Sequence, residues 1–187
     1  YVSHITRFNN PDKLFAKTYW EGQKYGDIWG YHVDGLFATD EEAASYPVDQ
    51  SLVNDAQIFP TTTTSPNGLY AGEMRFVDRD GNGKIDKGAE KVGDSGDWQV
   101  IGNSQPRYNY GINLNGSWNG FDLAIFFQGI GKMDWYPPAG FRSFWFLYDR
   151  PYQTFIPRDF YNECWWQDED GNVNPNAYYP RIHGYVS

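Results

Sequence analysis

Residues 107–132 read RYNYGINLNGSWNGFDLAIFFQGIGK, and this stretch decides the fold class of the chain. It holds two strand-length runs joined by Asn119-Gly120, a dipeptide that suits a two-residue hairpin turn because both residues tolerate a positive φ. Folding there pairs Trp118 with Phe121 and leaves one face with large apolar side chains, while the opposite face is mostly small or polar. The apolar face consists of Tyr108, Tyr110, Ile112, Leu114, Trp118, Phe121, Leu123, Ile125 and Phe127.

This alternation fits two environments. A strand of about ten residues, tilted by about 40°, spans about 25 Å, which is the height of the apolar band of an outer-membrane barrel. Aromatic residues also lie at both ends of the apolar face, where such barrels carry their aromatic girdles. A half-buried hairpin of a soluble sandwich shows the same alternation, so this stretch by itself leaves both alternatives open.

The composition favours strands joined by long, turn-rich loops. Among 187 residues, 19% are aromatic, and 20 glycines and 11 prolines are present. No apolar run approaches the roughly 20 residues that a transmembrane helix needs. The formal net charge of −9 argues against nucleic acid or anionic lipid as a partner. Cys164 is the only cysteine, which excludes an intrachain disulfide.

The connections along the chain are unequal in length. A second strand is predicted over about 25–37, and long loops are predicted over about 38–106 and 132–180, whereas the hairpin at 107–131 turns in two residues. Outer-membrane barrels combine short periplasmic turns with long extracellular loops in this way. We therefore predict an all-β chain, and the inequality favours the membrane barrel over the soluble sandwich. Inside the first loop, Thr39 and Glu42 have the spacing of a helix capping box.

Residues 78–86 read DRDGNGKID and have the spacing of a Ca²⁺-binding loop. Oxygen ligands fall at alternate positions, and Gly83 stands where such loops turn sharply. The predicted ligands are the side chains of Asp78, Asp80, Asn82 and Asp86 and the backbone carbonyl of Lys84. Ala89 occupies the twelfth position, where a bidentate acid is expected. The alternative is a solvated acidic turn.

Four motifs occur in a fixed order along the chain. They are GDIWGYHVDGLF at 26–37, GEMRFVDRDGNGKID at 72–86, the hairpin ending in FQG at 127–129, and NPNAYYPR at 174–181. This order resembles that of the SusC/RagA-type TonB-dependent outer-membrane transporters, over about residues 3–181. Asn82 and Ala89 stand where that family usually has acidic residues.

The resemblance implies that the chain is part of a large antiparallel transmembrane β-barrel with long extracellular loops and contains no complete independent domain. It corresponds to a segment from the C-terminal half of that barrel, in the outer membrane of a Gram-negative bacterium. Transporters of that family import glycans or peptides for nutrient uptake together with a SusD-type surface lipoprotein. They draw energy from the TonB complex, through parts of the polypeptide that this sequence does not contain. The resemblance therefore implies outer-membrane lipid, the lipoprotein and an oligosaccharide or peptide cargo as partners, no nucleic acid, and no enzymatic chemistry.

An aromatic stretch follows the hairpin and is the candidate surface for substrate or partner binding. The candidate residues are Trp135, Tyr136, Phe141, Trp145 and Tyr148. Flat rings stack on sugar faces and are also enriched at protein interfaces. The alternative is that these rings pack within the loop itself.

Two other function classes compete with the transporter. A secreted, calcium-stabilised β-sandwich that binds carbohydrate would use the same acidic loop and the same aromatic surplus, but it needs a second sheet to cover the apolar face. An enzyme is disfavoured, because no pair of carboxylates is singled out and a Gly-x-Ser-x-Gly motif is absent.

Overall fold

The structure is a computed structural model that describes residues 2–16, 19–53, 68–137 and 156–182. Within these ranges strands predominate, and the two helices are short. The elements in chain order are β1 (Asp27–Gly30), β2 (Val33–Leu36), α1 (Asp40–Ala44), β3 (Met74–Phe76), β4 (Gln99–Asn103), β5 (Tyr108–Trp118), β6 (Phe121–Gly131) and α2 (Phe160–Glu163). Neither helix has the length or apolar character needed to cross a membrane.

The chain divides into two compact units. Unit 1 comprises residues 1–30, 90–93 and 100–136, and unit 2 comprises residues 31–89, 94–99 and 137–187. The predicted all-β character is confirmed at the level of the described elements, which form three two-stranded sheets.

Strands β5 and β6 form the predicted antiparallel hairpin in the predicted register. Trp118 pairs with Phe121, and each pair along the ladder follows without a bulge as far as Tyr108 and Gly131. Asn119 and Gly120 both have positive φ angles, 47° and 83°. A turn of this kind matches the right-handed twist of the flanking strands, which is why the Asn-Gly dipeptide fixes the register.

Residues 25–37 differ from the sequence prediction. Instead of one strand, they form β1 and β2, which belong to separate two-stranded sheets. Strand β1 pairs with β4, and β2 pairs with β3 through an irregular register between Val33 and Gly35. The stretch divides because its two halves pair with different strands, which are distant in sequence. Within the predicted loop at 38–106 lie α1, as the Thr39–Glu42 spacing predicted, and the short strands β3 and β4.

Aromatic side chains form the core of unit 1. Trp20 is buried, and its ring centroid lies 5.6 Å from that of Phe15 and 5.9 Å from that of Trp29. Phe15 and Trp29 are themselves 4.8 Å apart, so the three rings close a triangle. Tilted ring pairs at these distances are favourable beyond the area they bury.

In unit 2, α1 begins at the predicted capping residue, Thr39. The Thr39 Oγ1 accepts a hydrogen bond from the Glu42 backbone N–H (3.2 Å), and the Glu42 carboxylate accepts one from the Ala38 N–H (2.7 Å). The first bond satisfies an N–H group of the first helical turn, as predicted for Thr39. The second differs from a complete capping box, because Glu42 accepts from the residue before the N-cap and not from Thr39 itself. The helix places Ala43 against Phe37 in a small buried cluster.

The last described part of unit 2 is organised by buried polar and aromatic groups. The buried Asn174 amide donates to the carbonyls of Asn162 (3.0 Å) and Cys164 (2.8 Å), which joins the two sides of this segment. Burial raises the pKa of the Cys164 thiol above its usual range. A buried thiol of raised pKa is chemically inert, as expected for a lone structural cysteine.

Candidate functional site

The apolar face of the β5–β6 hairpin is exposed over its whole length. Trp118 at the turn end is 79% exposed, and Tyr108 at the open end is 64% exposed. Leu114 and Ile125, which pair with each other near the middle of the ladder, are exposed as well. A continuous exposed apolar surface of this kind marks an interaction with lipid or protein.

The opposite face of the hairpin is polar over most of its length. It carries Asn109, Asn113, Asn115, Ser117, Asp122 and Gln128, and its other positions are Gly111, Ala124, Phe126 and Ile130. Near the turn, the Ser117 hydroxyl donates a 2.6 Å hydrogen bond to the Asp122 carboxylate on the paired strand. The hairpin is therefore two-faced, with apolar and polar sides on the two surfaces of one sheet.

Aromatic rings cover glycines across the strands. The Tyr110 ring lies over Gly129, its direct partner in the ladder, and a side chain at position 129 would collide with that ring. On the polar face the Phe126 ring lies close to Gly111, its diagonal neighbour in the ladder. These contacts order large side chains on both faces without support from a third element.

Within the described residues, β5 and β6 pair only with each other. A two-stranded hairpin is at best marginally stable in water, because it cannot bury its apolar side chains. The edges and the apolar face of this ladder are therefore surfaces suited to further contacts.

The acidic loop is wrapped around the Asp78 carboxylate. The Asp78 oxygens accept hydrogen bonds from the backbone N–H groups of Gly81 (2.7 Å), Asn82 (3.2 Å) and Gly83 (2.8 Å). The Asp80 carboxylate accepts from the Asn82 N–H as well (3.1 Å). The carboxylates of Asp78 and Asp80 therefore both accept backbone N–H groups from within the loop.

Asp97 joins this cluster, although it is not among the ligands predicted from the sequence. Carboxylate oxygens of Asp78, Asp80 and Asp97 all lie within 4.8 Å of one another. Asp97 is only 1% exposed, although it stands outside the motif in sequence. No local spacing marks it, because it follows the loop as a single acid between Gly96 and Trp98. Three carboxylates at this separation form a donor set that suits a hard divalent cation.

The remaining predicted ligands have internal partners. Lys84 extends its ammonium group to the Asp86 carboxylate (2.8 Å), and this contact lowers the pKa of Asp86 and raises that of Lys84. The Asn82 side-chain amide donates to Asp80 and Asp86 (both 3.2 Å), and its oxygen accepts from the Lys84 backbone N–H (2.9 Å). The structure thus brings the carboxylates of Asp78, Asp80 and Asp97 together. The side chains of Asn82 and Asp86 bond to each other, and the Asn82 amide also links them to Asp80.

A short segment before the undescribed residues 54–67 anchors the acidic loop. The Asp49 backbone exchanges hydrogen bonds with Gly83 (2.9 Å) and Ile85 (2.8 Å), and Ile85 is buried. The next residue, Gln50, is also buried, and its side-chain amide bonds Met74 O and Phe76 N of β3 (both 3.0 Å). Asp49 and Gln50 therefore connect the loop to the β2–β3 sheet.

The structure describes part of the predicted aromatic binding surface. Trp135 and Tyr136 follow β6 and are exposed. Phe141, Trp145 and Tyr148 lie outside the described residues. The proposal of an aromatic binding surface therefore rests on the first two positions and on the sequence.

A comparison with known proteins adds to this geometry. Part of this chain is similar to a TonB-dependent receptor. Over 108 residues, or 58% of the chain, it is 28% identical to the TonB-dependent receptor P3 of Formosa agariphila, and the match spans 8% of that protein's length. No family model and no solved structure matches the chain.

Proposed function

We propose that this chain is a wall segment of a TonB-dependent transporter barrel in the outer membrane of a Gram-negative bacterium. The observation that carries the proposal is the β5–β6 hairpin, whose apolar face is exposed from Tyr108 to Trp118 while its other face is polar. An outer-membrane strand has this construction, with apolar side chains toward lipid and polar side chains toward the lumen. The similarity to a TonB-dependent receptor supports the same function.

The energetics favour lipid as the medium at the apolar face. Transfer of one large apolar side chain from water to an apolar environment contributes about 1.5–3 kcal/mol. In the hairpin, none of the side chains on this face obtains that contribution in full from the described residues, because each of them stays between 37% and 79% exposed. A bilayer supplies it along the whole face, and neighbouring barrel strands supply hydrogen bonds at both edges.

The finer function follows from the order of the four sequence motifs. On that basis we propose a SusC/RagA-type transporter that imports glycans or peptides together with a SusD-type surface lipoprotein, with energy from the TonB complex. The chain then has no catalytic residues, and Trp135, Tyr136, Phe141, Trp145 and Tyr148 are the proposed contacts to lipoprotein or cargo. We favour this function over a secreted β-sandwich because no second sheet covers the apolar face within the described residues.

Fractionation of the native polypeptide tests the proposal. We expect the protein that contains this sequence to sediment with the outer membrane, to have a mass several times the 21.6 kDa of this chain, and to co-purify with a lipoprotein. The measurement is mass spectrometry of the polypeptide after separation of inner and outer membranes. A water-soluble polypeptide of 187 residues would contradict the proposal and favour the carbohydrate-binding sandwich.

We also propose that the acidic loop binds Ca²⁺, with Asp78, Asp80 and Asp97 as the carboxylate ligands. Substitution Asp78→Ala is expected to abolish a calcium-dependent rise in the melting temperature of the loop-containing protein, because it removes one carboxylate of the cluster. Asp168→Ala is the matched control, since Asp168 closes a separate exposed turn through Asn172. A parent protein whose melting temperature is the same in Ca²⁺ and in chelator would end this proposal.

A further inference from the structure

Asp97 is the most deeply buried acidic residue of the described part of the chain, and its side chain bonds to both ends of the acidic loop. One carboxylate oxygen accepts the backbone N–H of Arg79 (2.6 Å), near the start of the loop. The other accepts the backbone N–H of Asp86 (2.9 Å), at its end. The Asp97 N–H also donates to the Asp86 carbonyl (3.1 Å). A single side chain therefore connects both ends of the loop.

The interior of the loop is closed by groups of the protein itself. Asp78 accepts three backbone N–H groups, and Lys84 neutralises part of the charge on Asp86. The Asp49 backbone holds the loop from outside through Gly83 and Ile85. Bonds from backbone N–H groups to an ionised carboxylate are about twice as strong as neutral ones, so these contacts favour the closed form of the loop.

We propose that Asp97 is a built-in clamp that holds residues 78–86 in their closed form without a bound divalent cation. The clamp makes the loop a preformed receptor, in contrast to loops that fold only when metal binds. The proposal concerns the same loop as the Ca²⁺ proposal above, but it does not require binding. The two can fail separately, because closure is measured in chelator and binding is measured on addition of Ca²⁺.

Hydrogen exchange of the intact native polypeptide tests the clamp. In chelator, peptides that cover residues 79–86 are expected to exchange slowly in the parent protein. Substitution Asp97→Asn places an amide donor against a backbone donor, and we expect about tenfold or faster exchange in these peptides, which corresponds to the loss of a charge-assisted hydrogen bond. Peptides from the β5–β6 hairpin report whether the variant remains folded.

Asp80→Asn is the matched control, because it removes the same charge from the same cluster but contacts only Asn82 within the loop. We expect the exchange of the 79–86 peptides in this variant to stay within about twofold of the parent, as for an exposed substitution. Two results would overturn the clamp: fast exchange of the parent loop in chelator, or equal acceleration in the two variants. The first result needs no variant, so the proposal stays testable even where Asp97→Asn does not fold.

Discussion

Replacement of Leu114 by Arg is expected to destabilise the membrane-inserted protein by about 2–4 kcal/mol, the penalty for a charge on the lipid face near the bilayer midplane. Leu114 lies near the middle of β5, pairs with Ile125 and is 53% exposed on the apolar face. The measurement is the free energy of unfolding of the protein in phospholipid bilayers, by denaturant titration. The matched control is Asn113→Arg, one residue away on the polar face, which we expect to cost less than about 1 kcal/mol.

A second variant separates a lipid contact from a protein core. A charge at Leu114 would destabilise the protein in either environment, whereas a larger apolar side chain would destabilise it only in a protein core. Lipid chains adapt to a larger side chain, whereas overpacking of a sandwich core costs about 1–3 kcal/mol. We therefore expect Leu114→Trp to leave the free energy of unfolding nearly unchanged. A large loss for Leu114→Trp, or equal losses for Leu114→Arg and Asn113→Arg, would contradict the wall assignment.

The sequence specified the hairpin because the information there is local. The alternation has a period of two, and the Asn119-Gly120 turn fixes which residues face each other, so a shift of one residue would invert both faces. The capping box of α1 is local for the same reason, since Thr39 and Glu42 lie within one helical turn. The hairpin register was confirmed pair by pair, and the role of Thr39 as N-cap was confirmed as well.

Other parts depend on partners that are distant in sequence. The break between β1 and β2 arises because β1 pairs with β4 and β2 pairs with β3. The two residues between Gly30 and Val33 contain no local signal that predicts it. Asp97 reaches the acidic loop only because the chain returns to it after residue 93. Gln50 completes the edge of β3 with a side-chain amide, which no pattern of alternation reveals. Tertiary contacts of this kind override local propensity.

Truncation of Phe37 to Ala is expected to cost about 3–5 kcal/mol in unit 2, the range for removal of a buried aromatic side chain. Phe37 is 0% exposed and packs against Ala43 and Leu69, and its ring makes an edge contact with Tyr46 at 5.1 Å. Its backbone also exchanges hydrogen bonds with Glu73 (3.0 Å) and Gly72 (2.8 Å). The cavity left by the ring cannot collapse easily, because these backbone hydrogen bonds fix the positions of the surrounding segments.

Local opening is the quantity to measure, since the two units need not unfold together. Hydrogen exchange of peptides covering β2 and α1 gives the free energy of opening of this core, and peptides from the hairpin provide an internal reference. Leu52→Ala is the control, because Leu52 is 61% exposed in the same unit, and it should change the opening free energy by less than about 0.5 kcal/mol. If Phe37→Ala affects exchange no more than Leu52→Ala does, then Phe37 does not hold β2 and α1 together. In that case the anchoring of the acidic loop through Asp49 and Gln50 is independent of the Phe37 cluster.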